Sequence, residues 1–84
     1  MSKYDALYKY FSDQTSRTLA LIFSQIEKIL NAELPQSAHK YTAWWANSTT
    51  KDHPHSHAWT DAGYYTVDVN DTIDREVINF KKWK

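Results

Sequence analysis

The sequence predicts a small α+β domain of winged helix-turn-helix order, with three to four short helices followed by a C-terminal β-hairpin. Three observations predict it. Apolar residues recur at helical spacing as far as Ala62 and then switch to a period of two from Tyr64 onward. Helix-start and helix-stop residues, among them Pro35 and Gly63, cut the first part into short pieces. Between the first two helical pieces stands a β-tolerant run, Arg17 to Ile22, which supplies a third strand. The 84 residues make a single domain, residues 1–84, and a chain of this size buries only about 60 to 65% of its unfolded surface.

Helices are expected near residues 4–13, 24–31, 36–47 and 55–62, and a hairpin near 64–82. In the first helix, Ser2 and Asp5 form a capping pair, and Tyr4, Leu7, Tyr8 and Phe11 fall on one face. Ser24 and Glu27 read as a capping box for the second, whose buried side is Phe23, Ile26, Ile29 and Leu30. Pro35 suits the first position of the third helix, where a missing N–H costs nothing, although Ser37 is an alternative cap. The fourth opens at Pro54, places His55, Ala58, Trp59 and Ala62 on one side, and stops at Gly63. In the hairpin, Tyr65, Val67 and Val69 alternate with polar residues, as do Ile78 and Phe80 after a turn at Asn70 to Asp74. Trp45, Trp59, Leu7, Phe11, Ile26, Leu30, Val67 and Phe80 are the expected core.

Composition narrows the function. There is no cysteine, hence no disulfide or thiolate metal site, and no apolar run of about 18 residues that could span a bilayer. With no secretory signal at its start, the chain is expected in the cytoplasm. One glycine and two prolines leave no Gly-rich phosphate loop. Ten basic residues balance ten acidic ones, so the whole-molecule positive field that usually accompanies nucleic-acid binding is missing.

The third helix and its sequel, Leu34 to Trp59, hold three of the four tryptophans and all four histidines but only three of the twenty charged residues. Such a stretch is core or binding surface. In a continuous helix over 36–47, Ala38, Tyr41, Thr42 and Trp45 form the buried face, and Ser37, Lys40, Trp44 and Asn47 line the other side. A hydroxyl, a cation, an aromatic and an amide in line suit recognition, so Trp44→Ala is expected to leave the melting temperature nearly unchanged, whereas Trp45→Ala removes core. If Ser37 caps the helix, its hydroxyl leaves that stripe. His53, His55 and His57 alternate beside Asp52, but Pro54 favours a helix start over the strand that would turn them one way, so no metal is expected. Ser56, His55 and Asp61 could be drafted as a hydrolytic trio, yet no motif sets them in hydrogen-bond reach, so no enzyme activity and no cofactor are expected.

The residues Phe23, Ile26, Glu27, Ile29 and Leu30, then Leu34, Pro35, Ser37 and Ala38, Ala43, Trp44, Trp45 and Asn47, His55, Ser56, Ala58 and Trp59, and Ala62, Gly63 and Tyr64 make up an extended pattern. It resembles a family of small uncharacterised domains from bacteria and their phages, stand-alone or attached to larger proteins. The resemblance covers about Tyr4 to Phe80 and implies one compact domain without established chemistry. Thr49 to Pro54 is longer here than the family pattern, which affects the setting of His55.

These readings together predict a nucleic-acid-binding, DNA-directed module with 36–47 as recognition helix and 64–82 as wing. The expected contacts are Gln36 and Asn47 as amide readers, Ser37, Lys40, Trp44, His55, and the basic end at Lys81 and Lys82. With Lys40, Lys51, Lys81, Lys82 and Lys84 as the available cations, the salt slope on duplex DNA should be no steeper than about −4 to −5 for a monomer, and a homodimer would double it. The alternative is a protein-binding module, such as a phage or mobile-element inhibitor of a host enzyme, which zero net charge and surplus tryptophan suit.

Overall fold

The structure, a computed structural model, describes residues 4–47 and 54–83. Its elements are α1 (Asp5–Ser12), β1 (Thr18–Ile22), α2 (Phe23–Leu30), α3 (Gln36–Lys40), a 3-10 helix at Thr42–Trp45, and another at Pro54–Ser56 that runs into α4 (His57–Thr60). Then follow β2 (Tyr64–Val67), a 3-10 helix at Val69–Asp71 leading into α5 (Thr72–Arg75), and β3 (Val77–Lys82). The fold is α+β, and its antiparallel sheet has the order β1-β3-β2. Among the described residues no helix is long and apolar enough to cross a membrane.

One face of the sheet is covered by helices and the other is open. Leu21, Ile78, Phe80, Tyr64 and Thr66 point inward, onto Leu7 and Phe11 of α1, Phe23 and Ile26 of α2, and Trp45 and Trp59. α1 lies across α2 and α4. In β2 the inward set differs from expectation, since Tyr64 and Thr66 are buried while Tyr65 and Val67 are half-exposed. A threonine can take the inward place because its hydroxyl donates to the Trp45 carbonyl at 2.7 Å, which satisfies the buried polar group. Leu30 is likewise half-buried, and Tyr8 of the α1 stripe is exposed.

The helix ends correct two sequence readings. α2 begins at Phe23, one residue before Ser24, and Gln25 Oε1 accepts the Ile22 N–H at 2.9 Å in the capping-box manner. Glu27, the expected partner of Ser24, instead accepts the Leu34 N–H at 2.8 Å and fastens the turn into α3. That turn starts at Asn31, left-handed at φ 54°. Ser2, the other expected cap, lies outside the described residues.

The predicted helix 36–47 is the larger correction. It stops at Lys40, Tyr41 is extended at φ −124°, ψ 122°, and a 3-10 turn carries the chain to Trp45. In an unbroken α-helix the Ala38 carbonyl would accept the Thr42 N–H. Here it accepts Trp45 Nε1–H at 2.9 Å, so the indole folds back under α3 and is fully buried. Ala38 and Trp45 are core as expected, whereas Tyr41 and Thr42 are exposed.

The hairpin connection is also more ordered than a plain turn. It is bracketed by two left-handed residues, Asp68 at φ 54° and Glu76 at φ 53°, and contains α5. Each such residue carries a steric cost of about 1 to 2 kcal/mol that glycine would avoid. Gly63, at φ 92°, holds the left-handed position expected of it between α4 and β2.

Tyr64 ties the sheet to the segment before β1, donating its hydroxyl proton to the Ser16 carbonyl at 2.5 Å. Burial, followed by the neighbouring Tyr10, pushes its pKa above the ordinary value of 10.0. The folded chain therefore holds this proton more tightly than the unfolded chain does. Its stabilising effect is complete below the ordinary tyrosine value and is lost as pH rises through the raised folded value. Denaturant midpoints measured across alkaline pH should fall for the wild type and fall less for Tyr64→Phe, which should itself be less stable at neutral pH by about 1 kcal/mol. Parallel curves would rule this role out.

Candidate nucleic-acid interface

The eight residues expected at the site are distributed over three places. Gln36 and Lys40 are exposed on α3, while Ser37 is half-buried. The position before α3 is Pro35, extended at φ −64°, so Ser37 lies inside the helix, where its carbonyl accepts the Tyr41 N–H at 2.9 Å. Beside this group stand Tyr41, 61% exposed, and Thr42. Helical spacing over 36–47 places both on the buried face, and the break at Tyr41 turns them outward instead. Two consecutive residues of low helix propensity, Tyr41 and Thr42, are the signal that marks it.

Trp44, Asn47 and His55 form a second group, and it is built into the fold. The Trp44 indole stacks on the His55 ring with centroids 3.9 Å apart and 4° between planes, meets Trp45 edge-on at 4.6 Å, and lies 6.5 Å from the Tyr4 ring. His55 is 7% exposed and its Nε2 is 2.6 Å from the Trp44 carbonyl. A carbonyl only accepts, so Nε2 carries the proton in this contact. Trp44 is thus half-buried against the core rather than displayed on an opposite helix face.

Asn47 acts as a stand-in for a strand. Its Oδ1 accepts the Thr66 N–H at 2.7 Å and Trp59 Nε1–H at 3.0 Å, and its Nδ2 donates to the Thr66 carbonyl at 3.1 Å. One side-chain amide therefore supplies both the donor and the acceptor that a neighbouring strand would offer to β2. With these groups engaged, Asn47 is not available as a base reader.

Lys81 and Lys82 make the third group. Lys81 pairs across the sheet with Thr18 and Tyr65. Lys82 donates its backbone N–H to the Arg17 carbonyl at 2.7 Å, and its Nζ is 3.4 Å from the Gln14 carbonyl and 5.7 Å from the Tyr64 ring centroid. α3 packs against α5, at the opposite end of β3. At about 3.3 Å per residue, β3 separates Lys81 and Lys82 from that end by roughly 17 Å. The flanking connection carries Asp68, Asp71, Asp74 and Glu76 against the single Arg75. The structure therefore does not join Lys40 to the basic end in one positive face.

The other candidates also resolve. His57 Nδ1 lies 3.4 Å from Asp61 Oδ1 on the surface of α4. Among the described residues no three His, Cys, Asp or Glu side chains converge as metal ligands; Asp52 and His53 lie outside those residues. His55 Nε2 is directed to the Trp44 carbonyl, and Asp61 lies beside His57.

A family model described as a domain of unknown function, DUF7662, matches residues 4–82. No curated protein and no solved structure shows significant similarity to the chain.

Proposed function

The chain belongs to the DUF7662 family of domains of unknown function, and from that premise we propose that it is a nucleic-acid-binding module of winged-helix type. The observation that supports this reading best is the arrangement of the sheet around the helices. β1, inserted between α1 and α2, pairs with β3, which sets the β2–β3 hairpin beside the α2-turn-α3 unit. α3 and the turn after it then present Gln36, Lys40, Tyr41 and Thr42 outward. From Pro35 to Asn47 the chain has no carboxylate, so this surface offers donors to phosphates and base edges without an acidic residue of its own. The hairpin connection, by contrast, is acidic and repels phosphates. That makes α3 and the turn at Tyr41 the contact and leaves the wing a spectator.

This geometry revises the expected salt dependence. Lys40 and the pair Lys81 and Lys82 do not share a face, so the log-log slope on duplex DNA should be about −1 to −2 for a monomer, shallower than the count of lysines allows. Fluorescence anisotropy with duplex and single-stranded oligonucleotides at stepped salt measures it. Lys40→Ala should flatten the slope. Asp74→Asn, on the element packed against α3, should tighten binding about twofold to threefold at low salt by removing a like charge near the phosphates. Unchanged binding in both variants would move the contact elsewhere. Absence of any oligonucleotide binding, with capture of one host protein by the wild type and not by Tyr41→Ala, would replace this reading with the protein-binding one.

A further inference from the structure

We propose that the cavity between the β2–β3 connection and the open face of the sheet binds a small zwitterion, a single molecule bearing both an ammonium and a carboxylate, of the size of an α-amino acid. The cavity measures about 290 Å³ and is lined by Asp68, Asp71, Thr72, Arg75, Val77 and Asn79. Ile78 and Phe80 point into the core, so by strand alternation Val77 and Asn79 rise from the opposite face and form its floor. Asp68, Asp71, Thr72 and Arg75 come from the connection above.

One observation distinguishes this cavity from a solvated acidic loop. Thr72 is 1% exposed, and its Oγ1 is a buried side-chain oxygen without a hydrogen-bond partner. A buried hydroxyl with no protein partner keeps its hydrogen-bonding capacity for a molecule bound beside it. Among the described residues, moreover, Asp68, Asp71, Arg75 and Asn79 have no side-chain ion pair or hydrogen bond, although opposite charges share the cavity. Asp68, Asp71 and Arg75 are exposed and Asn79 is half-buried, so their polar groups are open to a bound molecule.

The lining selects the ligand by elimination. Arg75 in the wall opposes a bare metal cation, and two carboxylates oppose a bare phosphate. Among the described residues no aromatic side chain lines the cavity, so a nucleobase would lose the stacking that base recognition relies on. An ammonium beside Asp68 and Asp71 and a carboxylate on Arg75 use all three charges, with Asn79 and the Thr72 hydroxyl as orienting partners and Val77 as an apolar wall. The volume lies at the lower end of small-molecule sites, which begin at about 300 Å³. This surface is separate from the one at Lys40 and needs no nucleic acid, so either assignment can fail alone.

The test is isothermal titration of the whole chain with each of the common L-amino acids, followed by amide chemical shifts. At least one should bind at one site with a dissociation constant below about 1 mM and shift the Asp68, Thr72 and Asn79 resonances. Its N-acetyl and carboxamide derivatives, and methylamine or acetate alone, should each bind more weakly by about tenfold or more, because each lacks one of the two charges. Asp68→Asn, which keeps a residue tolerant of the left-handed backbone, and Arg75→Gln should each weaken binding by about tenfold without lowering the melting temperature. Thr72→Val should raise the melting temperature of the free chain and weaken binding, the joint result a purely structural hydroxyl would not give. Absence of binding by every amino acid, binding indifferent to Arg75→Gln, or a lower melting temperature for Thr72→Val would each overturn the proposal.

Discussion

Replacing Trp45 with alanine is expected to remove about half or more of the domain's stability. The side chain is fully buried, stacks on Phe23 at 5.1 Å and Trp59 at 6.1 Å, and donates to Ala38. A large-to-small change of this kind costs about 3 to 5 kcal/mol, and a domain of this length has on the order of 5 to 10 kcal/mol in all. Here the loss goes further, because the Trp45 N–H occupies the carbonyl whose diversion ends α3. Without it, Tyr41 and Thr42 can re-enter a helix, and the surface assigned to nucleic acid would change shape. Trp44→Ala should cost less, about 1 to 3 kcal/mol, since the side chain is half-buried but stacked on His55. Urea midpoints of both variants, with far-ultraviolet circular dichroism, check this. A Trp44 variant as stable as the wild type would restore the original view of Trp44 as a displayed residue.

Asn47→Ala is the second expected large effect. Removing the amide leaves the Thr66 N–H, the Thr66 carbonyl and Trp59 Nε1–H without their partner, and Thr66 and Trp59 are 6% and 0% exposed. Each buried group so orphaned costs about 1 to 3 kcal/mol, less whatever water recovers, so a net loss of about 3 kcal/mol is expected. Asn47→Asp keeps the acceptor and loses only the donor, and should fall between. Equal midpoints for the aspartate and alanine variants would mean that the acceptor does not matter. The open edge of β2 gives a second readout, as the alanine variant should also aggregate sooner on heating.

Most of the fold was legible because it rests on local rules. The β-tolerant run before Phe23, the stop at Gly63 and the alternation of Ile78 and Phe80 all read directly from spacing and turn chemistry. What was not legible depends on contacts between distant residues. The helix break at Tyr41 is set by a hydrogen bond from Trp45 back to Ala38, and the inward place of Thr66 is set by partners 19 and 21 positions earlier, Asn47 and Trp45. The same cause dispersed the candidate site. Trp44, Asn47 and His55 have the side chains of a binding surface, and nothing in their spacing says that Trp44 stacks on His55 while Asn47 bonds Thr66 and Trp59. Gln36, Lys40 and Lys81 are exposed and Lys82 is partly covered, a placement that charge and polarity decide.

The position of β3 between β1 and β2 has a consequence for synthesis. Leu19 meets Phe80 in the sheet, a span of roughly sixty residues, and among the described residues β2 has no strand neighbour but β3. While the chain emerges from the ribosome, β1 and β2 wait as unpaired strands, and no intermediate length has a sheet to join. Structure of this topology arrives late and all at once, when the stretch through Lys82 clears the exit tunnel, so chains stalled short of it should be open to proteases and chaperones along their whole length.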